Sequence, residues 1–224
     1  MKLYTYFRSS TSYRVRIALA LKGLEYESIP ISLIKNEHHE PAYLKVNPMG
    51  GVPALEHEGT VIGQSLAIIE YLESVKASPS LFPGSAADQA FARQVALAIA
   101  TDIHPLINLK VGKYLGEMGV DESARKDWTA HWSLKGMKAV EAMLASRGGP
   151  RGTAVVAGLS VADICIIPQM YSLRRNGIDL SDLPICCAIE KHCTALPEFR
   201  KAAPETQADA PADLEVIHGP QAQL

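Results

Sequence analysis

The hydrophobic pattern of this chain changes period once, and it does so at a proline-rich stretch. Strand-like and helix-like segments alternate up to residue 77, whereas beyond Ser78-Pro79-Ser80-Leu81-Phe82-Pro83-Gly84 every periodic segment is helical. Two differently built domains follow from that switch. Lys2 to Tyr6 (KLYTY) alternates as a strand does, and Val15 to Leu21 then sets apolar residues at helical spacing until Gly23. Leu24 to Ser32 reads as a second strand, and a parallel pair joined by a helix is a βαβ unit. A loop with a short helix over Lys35 to Tyr43 follows, then a turn at Asn47-Pro48-Met49-Gly50-Gly51-Val52-Pro53. Two short strands, Ala54–His57 and Thr60–Gly63, and an amphipathic helix from Ser65 to near Lys76 complete the order β-α-β-α-β-β-α.

After the linker, helical periods run over about 86–117, 121–146, 160–176 and 184–194, as in a helical bundle. The clearest local signal there is Leu159-Ser160-Val161-Ala162-Asp163-Ile164. Ser160 is placed to cap the amide of residue 163 while Asp163 reaches back, with Leu159 and Ile164 as a staple. This pair is read as a structural nucleus rather than a catalytic Ser-Asp pair. The expected fold class is α/β plus all-α: a first domain over 1–77, a linker over 78–85, an all-helical domain over 86–204 and a polar C-terminal tail over 205–224.

With 224 residues, 47% of them hydrophobic, the chain can bury a substantial core. Lys plus Arg number 22 against 24 Asp plus Glu, a formal charge of -2. No general basic field attracts nucleic acid or an anionic membrane, so neither is expected as a partner and any anion site is local. No apolar run approaches the roughly 20 residues of a membrane span and no signal-peptide block opens the chain, which points to a cytoplasmic protein. Cys165, Cys186, Cys187 and Cys193 make a poor disulfide framework, two being adjacent, and are read as reduced, mostly buried thiols. None of the seven histidines pairs with a cysteine at zinc-ligand spacing, and no metal is expected.

Between the first strand and the first helix lies Phe7-Arg8-Ser9-Ser10-Thr11-Ser12-Tyr13-Arg14, four hydroxyls between arginines. Hydroxyls and free amides converge at a helix amino terminus and favour an anion there. The same residues also make an ordinary polar cap, and composition alone favours that reading; position decides otherwise. In a thioredoxin-type βαβ domain this turn is where redox enzymes place cysteines, and here there is none, so a reacting thiol has to come with a cofactor. Val52-Pro53, at the start of a strand, marks a cis bond or an edge able to receive a peptide. Gln64-Ser65 opens the next helix as a further anion seat. Together the three describe a site for a small peptide carrying a carboxylate and a sulfur.

Four runs, SSTSYRVRIALALKG, NPMGGVPAL, QSLAIIEYLE and TDIHPLINLKV, resemble the zeta class of glutathione transferases, the maleylacetoacetate and maleylpyruvate isomerases. The resemblance extends to about residue 204 and takes in LSVADICIIPQ. It implies a glutathione transferase fold, thioredoxin-like at the N-terminus and all-helical at the C-terminus, with glutathione as cofactor and a homodimer as the assembly. Residue by residue, Ser9, Ser10 and Thr11 occupy the glutathione-activating turn, while Val52, Pro53, Gln64 and Ser65 occupy its backbone-pairing and glutamyl-binding positions. His38 matches a contact to the glycyl end, and His104, Asn108 and Lys110 lie where the helical domain reaches over the sulfur and the substrate. Thr11 stands where most relatives have cysteine, and Gly51 where many have glutamine.

The implied activity is cis-trans isomerisation of maleylpyruvate or maleylacetoacetate, in which a thiolate adds to the double bond, rotation follows, and elimination restores glutathione. Ser10 is the first choice for the hydroxyl that stabilises the thiolate, with Ser9 and Thr11 as alternatives. Arginine is the fork-shaped partner for a small dicarboxylate substrate, and Arg8 and Arg175 are the candidates. Arg174-Arg175 also reads as a solvated helix end complementing the dipole, and His104 as a buried histidine at a proline kink. Two other functions stay open: a general glutathione transferase or dehalogenase of small electrophiles, and a non-enzymatic interaction protein on the same fold.

Overall fold

The structure is a computed structural model and describes residues 1–148, 152–214, 216 and 217. In chain order the elements are β1 (Lys2–Thr5), α1 (Ser10–Lys22), β2 (Glu27–Pro30), a 3-10 turn at Glu37–His39, α2 (Pro41–Val46), β3 (Ala54–His57), β4 (Thr60–Gly63) and α3 (Ser65–Val75). Then come α4 (Ala86–Leu97), α5 (Leu109–Glu117), α6 (Glu122–Ala145), α7 (Val161–Arg175), α8 (Pro184–Thr194) and α9 (Pro197–Ala202). The chain condenses into two compact units, Met1–Leu81 with Ala195–Val216, and Phe82–Thr194. The return of Ala195–Val216 to the first unit differs from the boundaries drawn from periodicity, which assigned that stretch to the helical domain and a tail.

The first unit is a four-stranded sheet in the order β2-β1-β3-β4, with β1 parallel to β2 and antiparallel to β3, and β3 antiparallel to β4. The β-α-β-α-β-β-α order is as expected. Because β3 pairs on both sides, Val52-Pro53 leads into an interior strand and not an edge; its peptide bond is cis. Helix α1 starts at Ser9, whose side chain accepts from the Ser12 amide, and stops at Gly23, held at φ 58° in the left-handed conformation that glycine adopts freely. Leu3, Val15, Ile17, Leu19, Leu55, Ile68, Ile69 and Leu72 are buried between sheet and helices. α1 packs against α3 and against the returning α9.

In the second unit α7 packs on α4 and α8, and α6 on α8. The continuous helix expected over 86–117 is broken. After α4 the backbone widens into a π-helical turn at Ala98–Ile103, tightens into a 3-10 turn at His104–Ile107, and restarts as α5 with Asn108 as its cap. Pro105 lacks the amide that a regular helix needs there. Gly136 on α6 lets the bulged turn approach, since a Cβ would lie 2.3 Å from Ile103 Cγ1. Ala86–Glu117 has the length and apolarity of a membrane span, but it is divided among three helix types, and Phe91, Val95, Ile99 and Ile103 are buried within its own unit. The reach-back at α7 is present: Asp163 Oδ2 accepts from the Ser160 amide and hydroxyl, both at 2.8 Å, and Oδ1 from the Ala154 amide at 2.7 Å. Burial pushes the Asp163 carboxyl up to about 6, against the pull of those donors.

Candidate active site

The three hydroxyls of the α1 turn are bonded unequally. Thr11 Oγ1 donates to the Val52 carbonyl at 2.8 Å, which spends its proton. The 2.9 Å contact between Ser9 Oγ and Thr11 Oγ1 therefore has Ser9 as donor, while Ser9 Oγ accepts from the Ser12 amide. Ser10, half-buried on the first turn of α1, makes no hydrogen bond through its hydroxyl among the described residues. One uncommitted donor thus stands at the positive end of α1, beside a relay that ties the turn to Val52. Arg8 is half-buried with its guanidinium 5.8 Å from the Phe7 ring centroid.

The loop carrying Val52 is held from behind. Tyr43 Oη and Asn47 Nδ2 both donate to the Gly51 carbonyl, at 2.5 and 2.7 Å, and burial pushes the Tyr43 phenol up to about 12. Gly50, at φ +59°, packs against the 3-10 turn so closely that a Cβ would lie 3.1 Å from the His38 carbonyl. His38 thus sits next to the Val52 loop, its ring 3.9 Å from that of His39. A Cβ at Gly51 would meet nothing within 4 Å, so the missing glutamine side chain is not excluded by packing.

At the start of α3, Gln64 is exposed, at φ 68°, and makes no side-chain capping bond. Ser65 Oγ accepts from Arg14 NH1 at 3.3 Å. The structure therefore gathers Ser9, Ser10, Thr11, Val52, Pro53, Ser65 and the His38 turn within one unit.

The second unit brings His104 and Asn108 together. Asn108 Oδ1 accepts from the Lys110 amide at 3.1 Å, so its Nδ2 is the group that donates to His104 Nε2 at 3.2 Å, and the proton of a neutral His104 is on Nδ1. Lys110 is joined to the pair through its backbone. Trp128 Nε1 donates to the Leu106 carbonyl at 2.7 Å and anchors this turn to α6. The histidine is thus a hydrogen-bonded residue at a helix break, half-buried where the plainer reading had it buried. At the end of α7 the two arginines part company. Arg174 forks onto the buried Glu190 with contacts of 2.9, 3.0 and 2.6 Å, while Arg175 is exposed. None of the four cysteines is in a disulfide, and burial pushes the Cys186 and Cys193 thiols up, which leaves these two unsuited to thiolate chemistry.

Residues 1–74 match the glutathione S-transferase N-terminal domain family. A maleylacetoacetate isomerase from Pseudomonas aeruginosa is 44% identical over 95% of this chain and 100% of its own length. The chain belongs to the zeta-class glutathione transferase family. A solved maleylpyruvate isomerase described as a bacterial zeta-class glutathione transferase superposes with a TM-score of 0.91 at 39% identity, covering 94% of this chain and 100% of that one. A maleylacetoacetate isomerase from Methylobacterium extorquens, solved with malonate and glutathione, superposes at 0.90 with 33% identity over 94% and 100% of the two chains.

Sequence reasoning passed over three residues of this zeta-class chain, Arg16 and Asp209, which hold the loop before the turn, and Arg14, which reaches Ser65. Arg16, 1% exposed, donates to the carbonyls of Tyr6, Phe7 and Ala202 and to Thr5 Oγ1. Asp209 Oδ2 accepts from the Phe7 amide at 2.9 Å, so the C-terminal stretch read as an appendage grips the loop that leads into Arg8 and Ser9. Arg14 is as buried as Arg16. The available signal was the pair of arginines inside an otherwise apolar helix, since full burial of arginine requires partners elsewhere in the chain.

Proposed function

We propose that this protein is a glutathione-dependent cis-trans isomerase of maleylpyruvate or maleylacetoacetate, acting in the breakdown of aromatic compounds. The observation that carries the reading is the Ser10 hydroxyl, uncommitted at the amino terminus of α1 beside a relay fixed to Val52. Isomerase names among relatives that cover 91–95% of the chain support it. When bound, glutathione supplies the thiol that adds reversibly across the cis double bond.

The residues present fit that cofactor. Ser10 donates to the sulfur, and the amides at the start of α1 lower the cost of its negative charge. Ser9 and Thr11 keep the turn and the Val52 backbone in register, so that a peptide backbone finds Val52 already oriented. Ser65 and Gln64 receive the glutamyl end and His38 faces the glycyl end. Arg8 and Arg175 take the carboxylates of the dicarboxylate substrate, and His104, Asn108 and Lys110 contribute the polar side of the helical unit. A homodimer and a cytoplasmic setting belong to the same reading.

The test is direct. Purified protein is mixed with glutathione and each maleyl keto acid, and the ultraviolet absorbance of the substrate is followed. Conversion that needs catalytic amounts of glutathione is expected. Absorbance that stays constant with both substrates sinks the proposal, and a conjugate that accumulates as glutathione is consumed replaces isomerisation by transfer.

A further inference from the structure

Helix α1 buries three cations, and they differ in how they are satisfied. Lys22 Nζ reaches Glu73 Oε2 at 2.5 Å and the carbonyls of Lys76 and Pro79 at 2.6 and 2.7 Å. Arg16 spreads four bonds over the β1–α1 loop and α9. Arg14 is equally buried, at 1% exposure, yet its one hydrogen bond goes from NH1 to Ser65 Oγ, and Nε and NH2 have no partner. It forms no ion pair with a carboxylate among the described residues. A guanidinium taken out of water without a countercharge is among the most unfavourable arrangements a fold can hold.

The position of Arg14 points to the missing charge. Ser65 is the first residue of α3, an eleven-residue helix whose cap, Gln64, makes no side-chain bond to the free amides of the first turn. Ser65 Oγ takes a hydrogen bond from Arg14, and its own proton is spent on no other described atom. Positive charge, free amides and an available hydroxyl therefore meet at one helix end, the set of donors that a carboxylate satisfies.

We propose that Arg14 is the buried countercharge of this seat, acting through Ser65 on the α-carboxylate of the glutamyl residue of the ligand. Arg14 is a positioning residue: it orients Ser65 so that the hydroxyl proton faces outward, and it supplies the net charge that a helix terminus alone lacks. The assignment rests on glutathione being the cofactor. It also carries a consequence for the free protein, which retains an uncompensated charge that an apolar side chain of similar size would remove.

Two measurements on full-length protein test it. The first is calorimetric titration with glutathione and with γ-aminobutyryl-cysteinyl-glycine, which lacks only the glutamyl α-carboxylate and keeps the amine. The parent protein should favour glutathione by about tenfold or more, the scale of one charge-assisted contact. Arg14→Met should bring the two ligands to within about threefold by weakening glutathione alone, and Arg14→Lys should keep part of the preference. The second is thermal unfolding without ligand, in which Arg14→Met should melt at or above the parent temperature. An unchanged preference in Arg14→Met overturns the proposal. So does an equal loss for both ligands together with a lowered melting temperature, which marks a structural arginine. A parent protein that binds neither ligand overturns the glutathione reading itself and this assignment with it.

Discussion

Asp209→Ala removes one acceptor from the loop that carries Arg8 and the hydroxyl turn, and the size of the effect can be worked out from what remains. The Phe7 amide loses its 2.9 Å bond to the carboxylate, and Phe7 is 5% exposed, so water replaces the acceptor poorly. A hydrogen bond to a charged group is worth about 1.5–3 kcal/mol net. Arg16 keeps its bonds to the Tyr6 and Phe7 carbonyls, which confines the loss to that single contact. For a chain of this length about 1 kcal/mol corresponds to roughly 2–4 °C, so a fall in melting temperature of about 3–12 °C is expected by circular dichroism. Asp209→Asn, which keeps an oxygen acceptor without the charge, should lose roughly half as much. The Michaelis constant for glutathione should rise in Asp209→Ala because the residue after Phe7 begins the turn. An Asp209→Ala protein that melts within about 1 °C of the parent, with glutathione kinetics unchanged, refutes the idea that the C-terminal stretch holds this turn.

Ser10→Ala should shift the pH-rate profile of isomerisation to higher pH, as the bound thiol loses its donor, whereas Ser9→Ala should chiefly lower thermal stability; the reverse pattern would make Ser9 the donor after it rotates off Thr11. Arg175→Ala should raise the Michaelis constant for the dicarboxylate about tenfold with glutathione binding intact, and equal losses for both would assign it a structural role. Asp163 gives a pH signature of stability. Its folded-state value of about 6 lies above the ordinary 3.8, so its favourable contribution is complete below about pH 4 and is lost as pH rises through 6, by an amount on the order of 3 kcal/mol. Chemical denaturation across pH 4–7 should show that decline in the parent and not in Asp163→Asn, and matching slopes would exclude Asp163 as its source.

The order of elements in the first unit was legible because a period of two and a period of 3.6 leave different marks on short stretches, and β1, α1, β3, β4 and α3 each carry one. The break between α4 and α5 was legible only in part. Pro105 announces a disturbance, but the widening of the turn before it depends on Gly136, thirty-odd residues away on α6, where a Cβ would collide with Ile103. α9 and the stretch after it were misassigned for the same reason: what ties them to the first unit is burial of Phe199 against α1, the Ala202 carbonyl on Arg16 and Asp209 on the Phe7 amide, long-range contacts with no periodic trace.

The site divides along the same line. The helix-end placement of Ser9, Ser10, Thr11, Gln64 and Ser65 was legible from sequence, because a turn between strand and helix fixes where a side chain stands. Residues that act by being buried could not. Arg14 and Arg16, two apart on α1, point to opposite sides of a helix covered by α3 on one side and α9 on the other. Hydropathy gives them the same sign, and nothing local says that one is saturated by carbonyls while its neighbour is left with a single serine hydroxyl. Burial of a charge is unfavourable in either place, so the helix tolerates Arg16 because the fold itself supplies the acceptors. It tolerates Arg14 on different terms, with one serine hydroxyl as its partner and the countercharge supplied from outside the chain across Ser65, and the stability of Arg14→Met without ligand separates those two cases.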